Sequence, residues 1–201
     1  MSKKANEIKA KKAKIISFWS MIGFITLAFI TVLVILFIET TPIKSYSDIR
    51  RDHLTLIREQ MFRQDATSYY VYIYNSDSTN ELSIEKAEEL EPIVFNYFNF
   101  VKRNSRKAGI IKIYGFDVND LENRSCIRDT DSLSRIDNFA SLSIKEASIP
   151  VLVKVINGVI EYSYTTIAAI QNELQNAMDE VMRTTNLSTV IFFKKKYISY
   201  F

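Results

Sequence analysis

Residues 147–164 read Ala147-Ser148-Ile149-Pro150-Val151-Leu152-Val153-Lys154-Val155-Ile156-Asn157-Gly158-Val159-Ile160-Glu161-Tyr162-Ser163-Tyr164. Two short apolar runs flank Asn157-Gly158. Both residues tolerate the positive φ of a type I′ turn, so the stretch predicts a β-hairpin. Pro150 stands at the mouth of the first strand. It has no amide to donate, and that confines it to a strand start, an edge or a turn.

Downstream, Ile167, Ile170, Leu174, Ala177, Met178, Val181 and Met182 keep helical spacing. Residues 189–201 (TVIFFKKKYISYF) read either as an added strand or as a segment lying on anionic lipid, aromatics at the interface and lysines at head groups.

Upstream, Tyr69-Tyr70-Val71-Tyr72-Ile73-Tyr74 predicts a central strand covered on both faces. The polar stretch 75–80 breaks it. A helix follows over 82–103, with Ile84, Ala87, Leu90, Val94, Phe95, Phe98 and Val101 on one apolar face. Ser78 with Glu81 has capping-box spacing, and Ser83 is a second candidate cap. Glu81, Glu85, Glu88, Glu89 and Glu91 crowd its first turns. They suit the helix dipole and read as a solvated face. Pro92 falls inside the helix and predicts a kink. Ile110-Ile111-Lys112-Ile113-Tyr114 predicts a second strand, residues 118–135 an irregular segment, and Ile136 to Ile144 a short helix. Before the first strand, Ile49, His53, Leu54, Ile57 and Met61 recur at helical steps from Ser47 onward, with Asp48 near the positive end. His53 is the only histidine and reads as a partly buried helix residue.

Charge is uneven. The chain is net +3, but residues 1–14 hold six lysines against Glu7, which leaves the remainder at −2. A mildly acidic body argues against nucleic acid as a partner. Residues 15–38 (IISFWSMIGFITLAFITVLVILFI) run 24 residues without a charge. A helix of that length spans about 36 Å, against a hydrocarbon core of roughly 30 Å. The run exceeds a signal-peptide core and ends without a small-x-small cleavage site, so it reads as a retained transmembrane helix in contact with lipid. The lysines place the N-terminus in the cytoplasm and the body outside, a single-pass membrane protein.

The single cysteine, Cys126, excludes an intramolecular disulfide and a cysteine-ligated metal site. Arg124 and Arg128 flank it, as do Asp129 and Asp131, and it reads as a passive free thiol. With one histidine and four glycines the sequence implies no metal centre, no nucleotide loop and no cofactor. No catalytic set is recognisable.

The order is strand, helix with a mid-proline, strand, irregular segment, Ile-Pro, hairpin, terminal helix. A parallel crossover plus an antiparallel hairpin makes an α/β mixed sheet with helices on both faces. The order resembles the thioredoxin fold over residues 66–183. The resemblance is carried by Tyr72-Ile73-Tyr74 before the long helix, Glu91-Pro92-Ile93-Val94 within it, and Ile149-Pro150-Val151-Leu152 before Asn157-Gly158. It implies a cis-proline at Pro150. It divides the chain into a basic tail (1–14), a transmembrane helix (15–38), a linker and amphipathic helix (39–65), the thioredoxin-like domain (66–183) and an aromatic, basic tail (184–201). In that family a Cys-x-x-Cys motif opens the long helix, its second cysteine five residues before the kinking proline. Counting back from Pro92 puts Ile84 and Ala87 at those positions, with Glu85 and Lys86 between. The dithiol cycle is therefore impossible.

Three functions follow as expectations. The first is a redox-inactive, extracytoplasmic protein-binding domain, chaperone-like or an accessory subunit, that holds an unidentified protein at Ile84, Ala87, Ile149 and Pro150. The second is an oxidoreductase-related protein working through Cys126 alone, which requires a depressed thiol pKa. The third is a structural subunit whose transmembrane helix is the functional part.

Overall fold

The computed structural model describes the backbone of residues 2–198 and the side chains of residues 15–36 and 41–184. The elements in order are α1 (Ser2–Thr40), α2 (Tyr46–Arg51), β1 (Ser68–Tyr74), α3 (Glu81–Asn104), β2 (Lys112–Asp117), β3 (Val151–Ile156), β4 (Val159–Tyr164) and α4 (Ile167–Ile198). The chain divides after Thr41 into two units.

The first unit is α1. Ile15–Leu36 has a mean hydropathy of 2.4 and is long and apolar enough to cross a membrane. The side chains of residues 15–36 are all exposed. Thr26 and Thr31 donate their hydroxyls to the carbonyls of Ile22 and Leu27, each at 2.9 Å, which satisfies these two hydroxyls within the helix.

The second unit is an α/β fold around a four-stranded mixed sheet of order β2-β1-β3-β4. β1 is parallel to β2, with Tyr72 opposite Gly115. It is antiparallel to β3, with Tyr72 opposite Leu152. β3 and β4 form the antiparallel hairpin, with a register shift at Lys154/Val155. Asn157 and Gly158 have φ of 51° and 80°, the two left-handed residues that a type I′ turn needs.

Alternation along β1 builds two cores. Tyr70, Tyr72 and Tyr74 meet α3 through Leu90, Val94 and Phe98 and α4 through Ile170 and Leu174. Tyr69, Val71 and Ile73 meet Phe116, Val151, Val153, Phe139 and Ile144. Both long helices thus serve one face. The other is covered by residues 118–148, whose sequence lacks the apolar periodicity to make a helix longer than the 3-10 turns Arg124–Cys126, Phe139–Ser141 and Glu146–Ser148.

Several local expectations change. The helix expected from Ser47 through Met61 stops at Arg51. His53 and Arg58 adopt φ of 56° and 47°, and His53 is exposed. Between them the chain runs beside β2: Gly115 N donates to Leu54 O and Leu56 N to Gly115 O, both at 2.8 Å. Non-local pairing to a strand edge overrides the helical spacing, and Met61 falls on the 3-10 turn Arg58–Phe62. The segment 42–65 is therefore part of the folded unit, with Ile43, Ile49, Leu56 and Met61 buried. Asn99 pairs with both backbone groups of Ile43, accepting at 2.8 Å and donating at 2.7 Å.

The N-cap of α3 is Asn80, which accepts from Ser83 N at 3.1 Å, rather than Ser78 or Ser83. β2 starts two residues later than expected, at Lys112. The helix expected over Ile136 to Ile144 reduces to the Phe139–Ser141 turn, since Ser132, Ile136, Ser143 and Ile144 make isolated β-bridges instead. The strand expected from Thr189 is helical, because α4 continues to Ile198. Residues 199–201 lie outside the described residues.

One buried side chain fastens the 42–65 segment to the sheet. Asn123 is fully buried, donates to Leu56 O at 3.1 Å and Asp117 O at 2.9 Å, and accepts from Arg58 N at 2.9 Å. Truncation takes this partner from Leu56 O and Arg58 N, while Asp117 O keeps a bond from Asp120 N at 3.3 Å, at about 1–3 kcal/mol for the least relaxed of them. Asn123→Ala is expected to lower unfolding free energy in urea by about 2–4 kcal/mol. A loss below about 0.5 kcal/mol, the range of surface substitutions, would show that this side chain does not fasten the segment.

Candidate functional site

A cleft of about 300 Å³ opens at the C-terminal end of β1. Its walls come from four places. The first turns of α3 supply Ile84, Ala87, Glu88 and Glu91. The approach to β3 supplies Ile149 and Pro150. Residues 75–78 form the rim. Tyr46, at the start of α2, and Tyr74, at the end of β1, complete it. The four residues expected at a binding corner, Ile84, Ala87, Ile149 and Pro150, therefore line one cavity.

Their exposure differs. Ile84 is 38% exposed, whereas Ile149 is 1% exposed and belongs to the core beneath. Pro150 is also buried. Ile84 thus supplies the accessible apolar surface, while Ile149 and Pro150 set the shape of the floor. The Ile149–Pro150 peptide is cis.

The Pro150 approach is latched to α3 and to the irregular segment. Ser83 Oγ donates to Glu146 O at 3.0 Å, and Lys86 Nζ donates to Ser148 O at 2.6 Å. Asp131 accepts from Lys145 N at 2.7 Å and from Ser148 Oγ at 2.8 Å. Asp131 is thus spent on holding the chain. No group of three His, Cys, Asp or Glu side chains among the described residues is gathered as a metal ion requires.

Burial sets the electrostatics. Desolvation pushes the Glu91 carboxyl above its usual range, and neighbouring Glu88 adds to it. Desolvation lowers the Lys86 ammonium to about 8, with Asp131 pulling the other way. Burial raises the Tyr46 and Tyr74 phenols, which stay neutral. Tyr46 stacks on Tyr74 at 4.3 Å between centroids, 15° between planes, and meets Phe95 edge-on at 5.4 Å. Ser76, Ser78 and Ser83 share the lining with the carboxylates of Asp77, Glu88 and Glu91.

Tyr46, Glu91 and Lys86 were not singled out by sequence reasoning. A signal for Glu91 exists: residues 84, 87, 88 and 91 follow helical spacing and share one face. Reading the glutamates as one solvated group hid it. Tyr46 carries no such signal, because its place depends on α2 folding back beside β1.

Cys126 lies 1% exposed in the core opposite α3, and burial pushes its thiol up to about 11. The single-cysteine chemistry needs the reverse, an accessible thiol with a depressed pKa. At pH 8 a thiol of pKa about 11 is roughly 0.1% thiolate. Native alkylation by N-ethylmaleimide is expected to be at least about a hundredfold slower than in urea, its rate climbing with pH through 10. Rapid labelling of the folded chain at pH 7 would contradict the buried position. Compared with protein-family models, with curated proteins and with solved structures, the chain matches none.

Proposed function

We propose that this chain is a membrane-anchored, redox-inactive thioredoxin-like domain that holds an extended segment of a partner protein on the extracytoplasmic side. The observation that carries the reading is the cleft itself, where Ile84 and Ala87 of α3 face Ile149 and Pro150. The thioredoxin-like assignment draws support from the sheet order β2-β1-β3-β4 with one parallel pair. The cis peptide ahead of β3 and Pro92 inside α3 add to it.

The binding mode follows from the walls. A cleft that joins a partly exposed isoleucine to a buried proline floor favours a chain in extended form, held by shape and backbone hydrogen bonds. The positions that would need thiols for disulfide exchange hold Ile84 and Ala87, so retention is non-covalent. The lysine-rich start and the apolar span Ile15–Leu36 favour an anchor with the body outside.

A photoreactive residue at Ile84, in the full chain in intact cells, is expected to capture a discrete protein. The same residue at Leu121, which is 84% exposed and away from the cleft, is expected not to capture it. Ala87→Arg, which fills the cleft, is expected to cut the yield by about tenfold, the loss of a well-packed contact. Identical products from both positions would overturn the binding corner. Protection of the folded unit from protease added to intact cells would overturn the extracytoplasmic placement.

A further inference from the structure

The cleft has a sign. Its ionisable carboxylates are Asp77, Glu88 and Glu91, and no lysine or arginine lines it. Beside Glu91 lie two phenols whose hydroxyls have no partner. Tyr46 Oη and Tyr72 Oη are both buried without a hydrogen bond, and Tyr72 is 0% exposed. Their hydroxyls feel each other and the Glu91 carboxylate. Buried polar atoms are almost always paired, and a hydroxyl left unpaired costs stability. One such group, on Tyr46, lines the open cleft, and the other, on Tyr72, lies behind it beside Tyr46 and Glu91; together they point to a polar group that arrives with a ligand.

That group is a cation. A phenol oxygen accepts from N–H donors, a carboxylate does so more strongly, and the ring of Tyr46 offers an aromatic face. A desolvated glutamate next to a second glutamate gains most from a positive neighbour. A metal ion does not suit the site, because the carboxylates are not gathered into a ligand set. Ile84 and Glu91 lie seven residues apart on α3, about 10 Å along its axis. A charge reaching from the Ile84 end to Glu91 must travel on a long, flexible stem.

We propose that the cleft receives a lysine or arginine side chain of the bound segment, its stem along Ile84 and its charged head between Glu88 and Glu91 and against Tyr46. The proposal rests on the reading that this corner holds an extended segment, and it names the residue class the corner selects.

The test uses the full chain in detergent micelles and nonapeptide mixtures with one fixed central residue: lysine, arginine, norleucine or glutamate. Binding is read by fluorescence polarisation. Lysine and arginine mixtures are expected to bind about tenfold more tightly than norleucine, and glutamate more weakly still. Glu88→Gln with Glu91→Gln is expected to bring lysine within about twofold of norleucine, both measured on the same folded variant. Asp77→Asn, in an exposed loop, serves if that double variant fails to fold, with a smaller loss of preference expected. Binding without preference for lysine or arginine overturns the cation and leaves the segment-holding reading standing. Binding by none of the mixtures overturns both. A preference that survives every carboxylate substitution places the cation elsewhere and overturns the proposal. So does argininamide alone binding as tightly as the arginine mixture, since the site then takes a free cation rather than a segment.

Discussion

The second unit depends on burying both faces of one strand. Six consecutive residues of β1, Tyr69 to Tyr74, are at most 1% exposed. Four of them are tyrosines, and a buried phenol brings a hydroxyl that must find a partner or cost stability. The partners dictate what packs where. Tyr69 donates to Met61 O at 2.9 Å and so fixes the 3-10 turn after α2. Tyr70 donates to Glu173 at 2.5 Å and so sets α4 against the sheet. Lys154 of β3 lies 3.5 Å from the same carboxylate and over the Tyr70 ring at 5.4 Å. Tyr97 on α3 meets Tyr70 edge-on at 5.7 Å and donates to Ile111 O at 2.9 Å, just ahead of β2. The hydroxyls of Tyr69, Tyr70 and Tyr97 thus tie three different elements to the centre.

Legibility in the sequence follows the range of the interaction that decides each element. β1, α3 and the hairpin were readable because their determinants are local: alternating aromatics, a helical apolar face, Asn157-Gly158. The segment after Arg51 was not. Its spacing suits a helix, but Leu54 and Leu56 gain more by pairing with Gly115, some sixty residues away in sequence. The absence of a side chain at Gly115 makes room for Ile49 of α2 and for Tyr74, since a Cβ there would meet Ile49 Cγ2 at 3.0 Å and Tyr74 Cε1 at 3.1 Å. Residues 118–148 fail for a related reason. Their order comes from single contacts, such as Asn123 to Leu56 and Asp131 to Lys145, and single contacts leave no period. At the site, Ile84, Ala87, Ile149 and Pro150 were reachable by counting from two prolines. Tyr46 was not, since its position rests on the fold of 42–65.

The cleft exists because two tight constraints meet there. Pro150 opens β3 next to the end of β1, in register at Ile73 and Val151. The start of α3 is held over that point by Ser83 and Lys86, each bonded to a backbone carbonyl just before Pro150. The loop 75–78 has to pass between them, with Asp117 accepting from Ser76 N at 3.2 Å. What is left open is bounded by rigid elements on three sides. Such a site is formed before any ligand arrives and gives up little conformational entropy on binding.

Where polar satisfaction fails is informative, because elsewhere it is thorough. Asn123, wholly buried, uses both ends of its amide, and Asp117, at 1% exposure, accepts from two backbone amides and lies 3.4 Å from Arg50. Three buried side-chain atoms among the described residues lack a partner: Ser68 Oγ at the start of β1, and the hydroxyls of Tyr46 and Tyr72. The two phenols sit with the desolvated Glu91. A phenylalanine at either position would keep the packing and shed the unpaired hydroxyl. Under the binding role proposed for the cleft, these two hydroxyls, one on its wall and one behind it, are the groups that a ligand would satisfy.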